Sequence, residues 1–129
     1  MKVDIVAWAT LSPSEDPSRV LLALRGILYP GDRAETATEE NRVVLRASGV
    51  SSLRKIKEAA ASRRVRSVLK RLLLSQMGKA RFELLLNRQA LTRGIISFCE
   101  TDSESPLGAV HLEMITDDPR SLIGYLAPV

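Results

Sequence analysis

The sequence predicts an α+β domain in which a largely antiparallel sheet carries its helices on one face. Stretches of apolar alternation outnumber strand–helix–strand units, and the last three of them follow one another as neighbours. Two helix signals each open on an Asp-Pro pair directly after an alternating stretch, at Asp16-Pro17 and Asp118-Pro119. The expected order is β-α-β-α-α-β-β-β-α over residues 1–129, read as one domain. A chain of this length buries about two-thirds of its unfolded surface and needs no covalent staple.

The first strand is marked by Val3, Ile5, Ala7, Ala9 and Leu11, which alternate with Asp4, Val6, Trp8 and Thr10. Val6 and Trp8 give its second face some apolar character. Pro13 stops pairing because it has no donor. Asp16 then supplies an N-cap acceptor and Pro17 fits the first helical turn. Val20, Leu21, Leu24, Ile27 and Leu28 recur at helical spacing, and Tyr29-Pro30-Gly31 is expected to end that helix. Residues Asp32 to Asn41 read as a surface loop with room for a short edge strand. Arg42 to Ser48 alternates again, with Val43, Leu45 and Ala47 inward and Arg42, Val44 and Arg46 outward, until Gly49 breaks it.

Ser51 to Met77 is the most unusual stretch. Arg54, Lys55, Lys57, Arg63, Arg64, Arg66, Lys70 and Arg71 stand in it against the single acid Glu58, so the remainder of a +4 chain is net acidic. Ser51 or Ser52 is expected to cap it. Leu53, Ile56 and Ala60 form one apolar stripe; Val65, Val68, Leu69 and Leu72 form another, rotated by roughly a quarter-turn at 100° per residue. One straight helix cannot aim both at a flat core, so a break is predicted near Ala61 to Arg63. Arg63, Arg66, Ser67 and Lys70 lie opposite the second stripe, in an exposed row about 10 Å long. No acids at four-residue spacing neutralise it.

Gly78 is a helix stop. Arg81 to Asn87 and Gly94 to Glu100 read as strands through Phe82, Leu84, Leu86, Ile96 and Phe98, with residues 87–93 as a connection between them that is exposed at least in part. Ser105 to Gly108 is turn chemistry. Val110, Leu112 and Met114 mark a final strand, so residues 94 to 115 read as a hairpin. Leu122, Ile123 and Leu126 dock the last helix.

Composition removes several classes of function. Cys99 is the only cysteine and His111 the only histidine, so no recognisable metal-ligand spacing exists. Cys99 reads as a small buried residue rather than a reactive thiol. No phosphate loop or dinucleotide fingerprint is present. His111 shares a strand face with Glu113, with no nucleophile placed beside it. The expectation is a non-enzyme without cofactors. Charge near Met1 leaves no signal-peptide pattern, and no apolar run reaches membrane-spanning length, so a cytoplasmic protein without a membrane partner is expected.

Several blocks carry a resemblance beyond periodicity: Ser14-Glu15-Asp16-Pro17, Leu86-Asn87-Arg88-Gln89-Ala90, Gly94, Phe98, Ser105-Pro106-Leu107-Gly108-Ala109-Val110 and Leu126-Ala127-Pro128. In this order they resemble the uncharacterised archaeal family UPF0201, whose blocks read TEDP, LNKQAA, SPLGPI and LAP. Arg88, Leu91 and Ala109 stand where that pattern has lysine, alanine and proline. The resemblance implies a fold like that of the large-subunit ribosomal protein L-five, RNA binding and a homodimer.

The residues themselves point to RNA as well. Cations held on a helix neutralise phosphates and release counterions. The aromatics Trp8, Tyr29, Phe82, Phe98 and Tyr125 all lie outside the basic stretch. Single strands are bound on aromatic platforms, whereas structured RNA is read through shape and backbone. The expectation is therefore a module for structured RNA, with Arg54, Lys55, Lys57, Arg63, Arg64, Arg66, Lys70 and Arg71 as its contacts and Arg88, Gln89 and Arg93 extending the surface. The alternative is a homodimeric interaction domain with no nucleic-acid role. The triplets Leu72-Leu73-Leu74 and Leu84-Leu85-Leu86 would then supply apolar surface to the interface.

Overall fold

The computed structural model describes residues 2–27, 34–79, 81–105 and 107–128. Its strands are β1 (Val3–Thr10), β2 (Ala34–Glu39), β3 (Arg42–Ser48), β4 (Phe82–Leu86), β5 (Phe98–Cys99) and β6 (Val110–Thr116). Its α-helices are α1 (Pro17–Arg25), α2 (Arg54–Ser62), α3 (Arg66–Leu74), α4 (Arg88–Thr92) and α5 (Pro119–Leu126). The strands form one antiparallel sheet in the order β2-β3-β1-β6-β4-β5.

Alternation puts one side of every long strand into a single core. Val3, Ile5, Ala7 and Ala9 of β1 lie beside Val43 and Leu45 of β3 and beside Leu112 and Met114 of β6. Phe82, Leu84 and Leu86 of β4 continue the layer. The helices cover this side with Val20, Leu24, Ile56, Leu69, Leu91 and Leu122, among others, in the same cluster. The expected α+β class with helices on one face is what the chain adopts.

Both Asp-Pro entries cap as expected. Asp16 Oδ1 accepts from the Ser18 amide at 3.0 Å, and Asp118 Oδ1 accepts from the Ser121 amide at 3.2 Å. The Ser18 and Ser121 hydroxyls, joined by those amides, hold each carboxyl below its ordinary range. The expected end of the first helix at Tyr29-Pro30-Gly31 lies outside the described residues. Part of the predicted 32–41 loop is strand β2 on the sheet edge, joined to β3 by a tight turn at Glu40-Asn41.

Four further expectations need correction. Neither serine caps the basic stretch: a single 3₁₀ turn, Val50–Leu53, leads straight into α2, and Ser52 is buried with its hydroxyl donating to the Ser48 carbonyl. The connection at 87–93 is in large part helix α4, capped by Asn87, whose Oδ1 accepts from the Ala90 amide at 2.9 Å. The strand predicted over Gly94 to Glu100 shrinks to Phe98–Cys99. The predicted 94–115 hairpin does not form, because β4 lies between β5 and β6 and pairs with both.

The face away from the helices carries a row that crosses all six strands in register: Ala37, Val44, Trp8, His111, Leu85 and Cys99. Trp8 stacks on His111 with ring centroids 3.9 Å apart, and the Arg42 guanidinium lies 4.9 Å from the indole centroid. Both faces of the indole are thereby occupied. Val44, predicted outward, is buried by its neighbours in this row. Cys99 is buried too; burial, then the charges of Glu104 and Asp102, pushes its thiol up, so it stays protonated as a small packing residue.

Candidate nucleic-acid interface

The predicted break falls where the two apolar stripes change phase. Helix α2 ends at Ser62, the Val65 amide reaches back to the Ala60 carbonyl at 3.0 Å, and α3 starts at Arg66. Ile56 and Ala60 of α2 and Leu69 and Leu73 of α3 are all fully buried, which the corner makes possible.

Arg64 forms that corner in a left-handed conformation, φ +56°. A non-glycine residue there costs about 1–3 kcal/mol, and such strain persists only where the surrounding structure imposes it, often at functional sites. Replacing Arg64 by glycine is expected to raise the urea midpoint or leave it unchanged while weakening any ligand that uses the guanidinium. A lower midpoint would show the arginine to be structural.

The cations of the basic stretch divide into two groups. Arg54 Nε pairs with Glu58 Oε1 at 3.0 Å, Arg71 pairs with Glu100, and the Lys57 ammonium lies 4.5 Å from the Tyr125 ring centroid. Those three are engaged within the protein. Lys55, Arg63, Arg64, Arg66 and Lys70 have no carboxylate partner among the described residues. Arg63, Arg64 and Arg66 are exposed, and Lys55 and Lys70 half-buried.

Helix energetics give no reason for Arg66. The N-terminal turn of a helix carries positive partial charge and prefers acids. Helix α3 has no side-chain cap and no acid in its first turn, and it opens on Arg66. Unsatisfied amides and a guanidinium at the same end create a field suited to an anion.

Of the three residues expected to extend the ridge, Gln89 and Arg93 are exposed, and Arg93 has no carboxylate partner among the described residues. Arg93 ends α4 beside Gly94, which shares a groove with Lys55 of α2 and with Arg63 just after it.

Arg88 has to be removed from that surface. Its side chain is 6% exposed and paired with Glu15, while its Nη1 donates to the Thr10 carbonyl at 2.7 Å and the Leu107 carbonyl at 3.3 Å. Its amide donates to Ser105 Oγ at 3.0 Å. Glu15 also accepts from the Ser12 amide at 2.8 Å. Burial pushes the Glu15 carboxyl up, but the Ser12 amide and the Arg88 charge together hold it below its ordinary range. Ser14-Glu15-Asp16-Pro17, the block around Arg88 and the block from Ser105 thus meet at one guanidinium. They build a clamp between the end of β1, the start of α1 and the turn before β6; Pro106 of that turn lies outside the described residues.

His111 has more neighbours than its predicted same-face acid. Its Nε2 lies 3.1 Å from Asp102 Oδ1 and its Nδ1 3.5 Å from Glu83 Oε1, whereas Glu113 pairs with Arg81. Asp102 is held in place by the Ala109 amide at 2.9 Å. No group of three or more His, Cys, Asp or Glu side chains fit to hold a metal ion occurs among the described residues. No helix among them is long and apolar enough to cross a membrane.

The leucine triplets are placed unequally. Leu73, Leu84 and Leu86 are core, Leu72 and Leu85 are half-buried, and Leu74 is exposed. Leu73 therefore cannot serve an interface, since its side chain is wholly used by the core.

No protein-family model matches the chain. A UPF0201 protein of Aeropyrum pernix is 30% identical over 132 residues, covering 98% of this chain and 86% of that protein. One from Sulfolobus acidocaldarius is 26% identical over 125 residues, covering 96% and 86%. Among solved structures, an uncharacterised UPF0201 protein superposes with a TM-score of 0.76 at 26% identity, covering 98% of this chain and 94% of the other. The UPF0201 protein of Methanococcus jannaschii shares the fold with a TM-score of 0.74 at 21% identity, covering 98% and 93%. Near-complete coverage in both directions accompanies these likenesses, and the chain belongs to the archaeal UPF0201 family.

Proposed function

We propose that this protein is a non-catalytic module that binds structured RNA through the corner between α2 and α3. One observation carries the reading: Arg63, Arg64, Arg66 and Lys70 cluster there without carboxylate partners among the described residues, while Arg54 and Arg71 on the same two helices are each paired. A merely solvated basic face would be laced with acids in the same way. The motif resemblance, with its implied likeness to ribosomal protein L-five, carries the same expectation.

Structured RNA is favoured over single strands. Trp8 has both faces covered and lies on the opposite side of the sheet from the helices, so it offers no stacking platform. A phosphate-dominated contact from a rigid corner suits the backbone of a duplex or hairpin.

Self-association through Leu74 and Met77, exposed at 49% and 40% near the end of α3, is the second reading. One pair of measurements separates the two. Titration with an RNA hairpin and with an unstructured strand of equal length is expected to show tighter binding to the hairpin. Equal binding, or none, would contradict the RNA reading. Sedimentation without RNA then decides the second: a dimer dispersed by Leu74→Glu with Met77→Glu would support it, and a monomer would dismiss it.

A further inference from the structure

We propose that the helical side carries a second docking site, separate from the α3 end of the ridge, for a peptide segment of a partner protein with apolar side chains flanked by carboxylates. The site is a groove made of three adjoining hollows that share lining residues. Its inner end lies between α1 and α4, where Arg19, Ala23, Arg88 and Thr92 line it. The same Arg19, Ala23 and Thr92 line its middle, together with Leu22, Gly26 and Gly94. Gly26 and Gly94 then lead to Lys55, Ala59, Arg63 and Ile95 at the outer end.

Three features define the occupant. The floor is built from small residues, Ala23, Gly26, Ala59 and Gly94, so a main chain can approach closely. Gly94 has φ +77°, and a Cβ there would meet nothing within 4 Å, so the space above it is open. Leu22 and Ile95, 71% and 40% exposed, border this floor and offer apolar contact that the core leaves unused. One such residue alone is ordinary on a protein surface; one beside each of two adjoining hollows gives an extended segment two apolar contacts.

Charge completes the description. Lys55 and Arg63 on the rim of the outer end have no carboxylate partner among the described residues, whereas Arg19 at the inner end stands against Asp16. Of the acids in the walls, Glu15 pairs with Arg88 and Glu58 with Arg54, while Asp16, hydrogen-bonded to Ser18, keeps its charge beside Arg19. The outer end of the groove therefore presents the positive charge of Lys55 and Arg63 beside exposed apolar side chains, complementary to an acidic, apolar segment.

The test uses the full-length ¹⁵N-labelled protein and a short synthetic peptide in which leucine alternates with glutamate. Its amide shifts are expected at Gly26, Gly94 and Ile95. A peptide with lysine in place of glutamate should leave them unmoved. Leu22→Ser with Ile95→Ser, both at exposed positions, should weaken the acidic peptide about tenfold and leave hairpin RNA binding unchanged. Arg66→Glu with Lys70→Glu should do the reverse, so failure here and failure of the RNA reading are distinguishable. Absence of shifts at saturating peptide would overturn the proposal, as would equal shifts with the lysine peptide. Displacement of the acidic peptide by RNA hairpin that persists in the Arg66→Glu, Lys70→Glu variant would assign the groove to nucleic acid, and shifts of these amides on simple dilution would assign it to a second copy. Either result also overturns the peptide assignment.

Discussion

Replacing Arg88 by methionine is expected to lower the stability of the protein by about 3–5 kcal/mol, the range for removing one partner of a buried ion pair. Methionine keeps most of the side-chain volume, so the loss reports the guanidinium rather than a cavity. Three acceptors lose their donor at once: Glu15, the Thr10 carbonyl and the Leu107 carbonyl. Glu15→Gln leaves the guanidinium without a counter-charge and should cost a comparable amount. The double variant is expected to lose clearly less than the sum of the two single losses, because the residues share one interaction. Arg88→Lys keeps the charge but lacks the fork that spans two carbonyls and a carboxylate, so a smaller loss is expected.

The same pair sets a pH dependence with a definite sign. The folded-state pKa of Glu15 is depressed. Its contribution is therefore fully present above the unfolded carboxylate value, about 4.3, and is lost as pH falls through the lower folded value. Urea unfolding at neutral pH and at acid pH measures both effects. The wild type should lose more stability on acidification than the Arg88→Met, Glu15→Gln double variant. A single-variant loss below about 1 kcal/mol would show that the clamp carries little of the fold.

The second large effect concerns binding. Charge reversal at Arg63, Arg66 and Lys70 is expected to weaken structured RNA by about a hundredfold or more, since three cations are replaced by three repelling charges. Folding should not suffer. Substitutions at the exposed Arg63 and Arg66 change stability by about 0.5 kcal/mol or less. The helix dipole favours an acid at Arg66 in the first turn of α3 and disfavours one at Arg63 at the end of α2. Half-buried Lys70 is the position where melting has to be checked. A variant that melts no earlier than wild type yet fails to bind would assign these residues to recognition. Unchanged affinity would dismiss the ridge as a solvated face.

Much of the scaffold was legible because its signals are local. Alternation in Val3 to Thr10 and Arg42 to Ser48, the caps at Asp16 and Asp118, and the phase change near Ala61 each depend on a few adjacent residues. What escaped depends on distant partners or on too few residues to show a period. Helix α4 spans five residues with Leu91 as its main apolar anchor, although Asn87 three residues before Ala90 was a usable cap signal. Strand β5 contributes two residues, and its place beside β4 is set by the sheet. Strand β2 is an edge strand rich in Glu and Thr and carries little apolar alternation.

The candidate site divides in the same way. Uncompensated charge around Arg66 could be read from composition, because acids are absent from the neighbouring turns. The burial of Arg88 could not, because its counter-charge Glu15 lies 73 residues away. A guanidinium reads as surface until its partner is placed, and the motif block around it reads as recognition when it serves as a clamp. The stack of Trp8 on His111 was hidden for the same reason: register across β1 and β6 brings them together.

The most direct measurement is the slope of log affinity for an RNA hairpin against log salt concentration, taken for the wild type and for the Arg63, Arg66, Lys70 charge-reversal variant. Each phosphate contact contributes about 0.7–0.9 to the slope. A steep wild-type slope that falls by about two units or more in the variant is the predicted result. A flat wild-type slope, or the same slope in both proteins, would contradict a phosphate-binding corner between α2 and α3.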